Sequence, residues 1–147
     1  MYARILAGID GSTHADHAWR HAVALAKALG AALRVVHVVD MGWLPVAPEV
    51  GLNLARIAAA RRAEGEALLA AASEAARAAG VAAESRLVET TTPTQRLAAA
   101  LVEDAASWRA DLLVLGTRGH GGVERLLLGS MADAVARRSS IPVLLVR

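Results

Sequence analysis

The sequence predicts an α/β domain, one open parallel sheet covered by helices on both faces. Three observations carry that prediction. Short aliphatic runs alternate with longer alanine-rich segments in the order β-α-β-α-β-α-β-α-β, an order that demands right-handed crossovers between parallel strands. The run at residues 33–39 is rich in β-branched residues, as in a strand buried on both faces. The alanines recur among Leu, Arg and Glu at helical spacing, which marks closely approaching helices rather than low complexity. At 147 residues and 55% hydrophobic content the chain suits one domain, residues 1–147, with no room for a second.

The first strand is read at residues 4–9. Asp10-Gly11-Ser12 then turns the chain into a helix over residues 13–29, where Ala15, Ala18, Ala22, Leu25, Ala26 and Leu29 form an apolar face and Gly30 supplies the stop. The second strand is residues 33–39. Residues 41–51, with Pro45, Pro48 and two glycines, form a loop whose Trp43 and Leu44 are placed to fold over a ligand as a lid. A long alanine-rich helix at 52–79 ends at Gly80, and a third strand follows at 81–89. Thr92-Pro93-Thr94-Gln95 carries three agreeing helix-start signals: a Thr cap, Pro at the first helical position, and Gln three residues after the cap. That helix extends to Arg109. The remaining elements are a strand at 111–115, a helix at 130–138 closed by Arg137 and Arg138, and a last strand at 143–146.

Composition excludes several classes of function. With no cysteine, the chain has no disulfide, thiol nucleophile or thiolate metal site. A net charge of +2 and no basic stripe argue against nucleic acid, and the pI of about 9.9 reflects a slight excess of arginine over carboxylate. No apolar stretch approaches the roughly 18 residues of a membrane span, and the N-terminus lacks the regions of a signal peptide. A cytoplasmic protein with no membrane contact is expected.

The chemistry concentrates in Gly116-Thr117-Arg118-Gly119-His120-Gly121-Gly122, which lies between an apolar run and a helix. Glycines let main-chain N–H groups approach an anion, and the helix that follows directs its positive dipole end to the same place. A Walker A loop is ruled out because no Gly-Lys-Ser/Thr is present, and a dinucleotide loop fails at Glu124, where its third glycine belongs. What remains is Gly116, two residues, Gly119, nine residues, then Gly129-Ser130. This spacing resembles the nucleotide-binding signature of the universal stress protein family at every fixed position. The resemblance covers the whole chain, from Ile5-Leu6-Ala7-Gly8-Ile9-Asp10 through Val36-His37-Val38-Val39 to Ile141-Pro142-Val143-Leu144-Leu145-Val146.

The resemblance implies a Rossmann-like sheet of five parallel strands in the order 3-2-1-4-5, with helices on both faces. Open α/β sheets bind ligands beyond the carboxyl ends of their strands where strand order reverses. In that order the tips of strands one and four, Asp10 and Gly116, meet at one crevice. By resemblance, Asp10 contacts the adenosine end of ATP, the backbone of Val38 meets the adenine edge, and Gly116, Gly119, Gly129 and Ser130 hold ribose and phosphates, with Mg²⁺ as a possible companion ion. Taken singly, Asp10 also reads as a turn carboxylate and Gly129-Ser130 as an ordinary helix cap.

Other polar residues carry weaker signals. Arg118 and Arg125 add positive charge near the phosphates, or are ordinary exposed loop arginines. His120 between glycines reads as a solvated loop histidine. His14, His17 and His21 line one stripe of the first helix, but their nearest carboxylate in sequence, Asp16, is on another face, so no metal site is assigned. His37 reads as a satisfied strand histidine.

The resulting expectation is an ATP-binding universal stress protein, a small nucleotide-dependent stress-response module. Phosphoryl transfer needs a positioned base and metal-binding carboxylates beside the γ-phosphate, and no such set is assembled, so no catalytic residue is assigned and hydrolysis is at most slow. The alternative is a nucleotide-free dimeric scaffold. A homodimer through the last strand is expected in either case, because an apolar edge strand is a liability that a monomer would blunt.

Overall fold

A computed structural model of the chain describes residues 1–42, 53–92, 94–118 and 128–147. Its elements run β1 (Arg4–Gly8), α1 (Thr13–Leu29), β2 (Ala32–Val39), α2 (Leu54–Ala78), β3 (Ala83–Glu89), α3 (Leu97–Ser107), β4 (Leu112–Gly116), α4 (Ser130–Arg138) and β5 (Val143–Val146). All four strand pairings are parallel and the order is β3-β2-β1-β4-β5, as the family resemblance implied. Strand order therefore reverses between β1 and β4.

Alternation along each strand divides the core into two layers. Ile5, Ala7, Val35 and Val114 pack under α1 and α2, while Leu6, Val36, Leu113 and Leu115 pack under α3 and α4. Gly65 lets α2 lie close to the sheet, since a Cβ there would fall 2.7 Å from Leu87 and 2.9 Å from His37.

Caps explain where α1 begins and ends. Ser12 Oγ accepts the Ala15 N–H at 3.2 Å, and Gly30 closes the helix in the left-handed region at φ 64°. The helix spans the residues its sequence predicts, as do α4 and β5. Smaller differences arise elsewhere. β1 stops at Gly8 and β4 reaches Gly116. Asn53, whose side chain accepts the Arg56 N–H, starts α2 two residues later than expected, and β3 begins at Ala83.

The start of α3 is a larger correction. The helix begins at Leu97, after Arg96, which makes no side-chain cap bond. Gln95 does reach back, but its Oε1 accepts the Thr91 N–H at 2.9 Å while its own N–H donates to Thr92 C=O at 3.2 Å. The same groups thus close a turn ahead of the helix. Pro93 lies outside the described residues.

At the far end of β2, buried Thr90 holds the outgoing chain. Its Oγ1 accepts the N–H groups of Met41 and Gly42 at 2.9 and 3.0 Å. The proposed lid residues Trp43 and Leu44 lie outside the described residues.

Candidate functional site

The site is built from strand ends. Asp10 follows β1, and its Oδ1 accepts the Ser12 N–H at 2.9 Å, so the carboxylate organises the turn into α1. The turn reading of this residue is therefore correct as far as local structure goes. Its position at the tip of β1 also places it in the lining of a cavity of about 120 Å³, together with Val36, Val38, Gly116 and Arg118. This volume is below the roughly 300 Å³ of a whole ligand pocket, which suits one ring system with the remainder of a ligand outside it.

Val38 presents main-chain groups to this cavity for a reason set by register. Gly8 is opposite Val36, and Ile9 N–H donates to Val36 C=O at 2.9 Å. Alternate residues of a parallel strand face the same neighbour, so the N–H and C=O of Val38 face the β1 side beyond the end of β1. Among the described residues no main-chain partner meets them there. The carbonyl of Ile9, which would continue the ladder, instead accepts the Nδ1–H of His37 at 2.8 Å. His37 is thus a strand-end histidine with a structural bond, as its sequence context indicated.

Gly116 ends β4 in close approach to the main chain of α1. A Cβ at this position would fall 2.7 Å from the carbonyl carbon of His14, 2.8 Å from its oxygen and 3.0 Å from the Ala15 nitrogen. The glycine is required by backbone packing between β4 and the first turn of α1. Spacing alone did not reveal this role.

Gly129 precedes α4 at φ −59° and ψ 154°, a conformation open to any residue, and its N–H donates to Thr117 C=O at 2.7 Å. Among the described residues no side chain caps α4, whose N-cap is Gly129. Ser130 is exposed at its start, and the next two residues, Met131 and Ala132, line the cavity. The first-turn N–H groups, without a side-chain cap among the described residues, and the positive end of the helix dipole therefore stand at the cavity rim, an arrangement suited to an anion. Gly119, His120 and Arg125 lie outside the described residues.

The structure adds apolar walls that the sequence reading did not assign. Leu97 and Leu101 of α3 line the cavity together with Leu115, and Leu97 is 38% exposed. An apolar residue left exposed beside the carboxyl ends of the strands was the available signal, but the misplaced start of α3 obscured it. Gly8 admits these leucines, since its Cβ would meet Leu115 at 2.7 Å and Leu101 at 3.1 Å.

The cavity is an apolar slot with one carboxylate, one guanidinium, exposed main chain and a helix start. Among the described residues no group of three His, Cys, Asp or Glu side chains is arranged to hold a metal, and Asp10 is the one acidic residue in the lining. A Mg²⁺ here would be held mainly by ligand phosphates and water, as is usual for nucleotide-bound Mg²⁺. Among the described residues no helix is long and apolar enough to cross a membrane.

Comparison with known proteins gives a consistent result. The model of the universal stress protein family matches residues 1–147. A universal stress protein of Thermus aquaticus is 40% identical over 147 residues, covering 100% of both chains. A crystal structure from the universal stress protein family of Burkholderia pseudomallei is 32% identical with a TM-score of 0.79, covering 99% of this chain and 96% of that one. A universal stress protein crystallised in complex with cAMP is also 32% identical, with a TM-score of 0.70, covering 99% of this chain and 97% of that one.

Proposed function

The chain belongs to the universal stress protein family, and we propose that it is a cytoplasmic adenine-nucleotide-binding module of that family with ATP as its ligand. The observation that carries the proposal is the meeting of Val38 main chain, Asp10, Gly116 and the start of α4 around one apolar slot. Adenine enters between Val38 and the leucines of α3, where the Val38 N–H and C=O read its polar edge. Asp10 accepts hydrogen bonds from ribose hydroxyls. Gly116, Gly119, Gly129 and Ser130 surround ribose and phosphates, and Arg118 adds charge. The relative bound to cAMP supports the adenine-nucleotide class.

Binding, rather than turnover, is the proposed activity. Efficient phosphoryl transfer needs a base and metal-binding carboxylates at the γ-phosphate, and Asp10 is assigned to the adenosine end. The protein works by occupancy, as a stress-response module whose surface changes with its ligand, and any hydrolysis is slow. Mass spectrometry of gently denatured purified protein, followed by calorimetric titration with ATP, AMP and cAMP, tests the reading. Near-stoichiometric adenine nucleotide or saturable ATP binding supports it. Neither nucleotide in the preparation nor heat on titration would favour a nucleotide-free scaffold.

A homodimer through β5 is part of the same proposal. The four residues of β5 are half-buried and apolar at the open edge of the sheet, whereas the opposite edge, β3, carries exposed Glu84, Ser85 and Arg86. Charge blunts one edge and leaves the other available for antiparallel pairing with a second copy.

A further inference from the structure

A second cavity, of about 310 Å³, opens between α1 and α2, away from the crevice. Its origin is the alanine content of the helices. Trp19 bridges them, buried to 4% exposure with its Nε1–H donating to Ala72 C=O at 2.9 Å. Beyond Trp19 the walls are Val23 and Ala24 from α1, Ala75 from α2 and Ala79 just after it, side chains too short to close the seam.

Two cations border this apolar floor. Lys27 Nζ donates to Ala79 C=O at 2.9 Å and so satisfies the end of α2. Arg20 lies seven residues away, about 10 Å along the helix. It is exposed and, among the described residues, has neither an ion pair nor a hydrogen bond; Asp16, one turn earlier, does not pair with it. An apolar floor with an unengaged guanidinium at its rim is complementary to a molecule with an aliphatic body and an anionic head.

We propose that this groove binds a small amphipathic carboxylate, its tail along Val23, Ala24, Ala75 and Ala79 and its head on Arg20. The open groove of about 310 Å³ is comparable in size to a medium-chain carboxylate. The site is separate from the nucleotide crevice and does not depend on that assignment.

Octanoate, a carboxylate of about that size, is the probe. Titration into isotopically labelled full-length protein, followed by amide and indole NMR, is expected to give saturable shifts at Trp19, Ala24, Ala75 and Ala79, with Val38 and Leu101 unmoved. Octylammonium, with the charge reversed, is expected to give none. Arg20→Glu weakens octanoate at least tenfold, Ala24→Leu fills the groove and abolishes binding, and Ala28→Leu on exposed α1 surface leaves it intact. Non-saturating shifts, equal binding of octylammonium, shifts centred on the crevice, or undiminished binding in Ala24→Leu would each overturn the proposal. Calorimetry with ATP on the same variants reads the crevice independently.

Discussion

Replacing Gly116 by alanine separates packing from ligand binding at the first glycine of the signature. The new Cβ would lie 2.7 Å from the His14 carbonyl carbon and 3.0 Å from the Ala15 nitrogen, both main chain in the first turn of α1. Main chain cannot swing aside as a side chain does, so α1 must shift away from β4 and loosen the layer it shares with the sheet. Overpacking of this kind costs about 2 kcal/mol. For a domain near this size that corresponds to a fall in melting temperature of about 4–8 °C. The assay is thermal unfolding by circular dichroism on nucleotide-free protein, because bound ligand raises apparent stability by mass action. Gly129→Ala is the control: at φ −59° and ψ 154° alanine is unstrained, so its expected change is within about 0.5 kcal/mol. If Gly116→Ala melts with the parent, the close approach is not a constraint and the packing role is wrong, whatever happens to ATP affinity.

Ser130→Ala removes the hydroxyl contact proposed to a charged phosphate and is expected to weaken ATP by about 1.5–3 kcal/mol, roughly ten- to hundredfold by calorimetry, with Gly119→Val worse. Parent-like binding in both would displace the phosphates from this loop. Thr90→Val leaves the buried Met41 and Gly42 N–H groups without their acceptor, for an expected loss of about 2–4 kcal/mol in urea unfolding; an unchanged midpoint would contradict it. Val143→Pro tests the dimer. Leu113 N–H donates to Pro142 C=O and Thr117 N–H to Val146 C=O, so residues 142, 144 and 146 face β4 while Val143 directs its N–H to the open edge. Proline there removes an outward donor and spares the ladder to β4. Light scattering should change from about twice 15.2 kDa to the monomer mass, and a parent that is already monomeric at micromolar concentration would exclude this assembly.

Local signals were read correctly where local chemistry decides the outcome. α1 is bounded by a serine whose hydroxyl caps its first turn and a glycine that takes a positive φ, and both choices are made within a few residues. The start of α3 shows the limit of the same reasoning. Thr and Gln three residues apart can close a turn or cap a helix, and the sequence does not say which carbonyls the following residues will reach. The crevice was legible as a place, because the reversal of strand order brings Asp10 and Gly116 together. Its walls were not, because Leu97 and Leu101 join it only through the packing of α3 on the sheet. Gly116 was noticed for its spacing, while its contact with the His14 main chain depends on a segment distant in sequence.

The two ends of the sheet treat their polar groups differently, and that difference supports the proposed placement of the ligand. At the amino ends of the strands, Asp111 accepts the N–H groups of Ala3 and Arg4 at 2.8 and 2.9 Å. Arg34 joins Asp104 and Glu84 at 3.0 and 2.8 Å, and Trp108 stacks beneath Arg4 and Arg34 while its indole N–H donates to Glu84. These side chains engage one another, although Arg34 Nε, within the same cluster, is the one buried side-chain nitrogen or oxygen without a partner among the described residues. At the carboxyl ends, Val38 main chain and the start of α4 face an apolar slot and, among the described residues, have neither sheet partner nor side-chain cap. Main-chain groups beside a cavity and without a protein partner are free to hydrogen-bond a ligand, which is the role the proposal gives them. Substitutions in the Arg34 and Trp108 cluster should therefore change unfolding and leave nucleotide affinity alone, because the cluster lies at the amino ends of the strands, away from the proposed crevice.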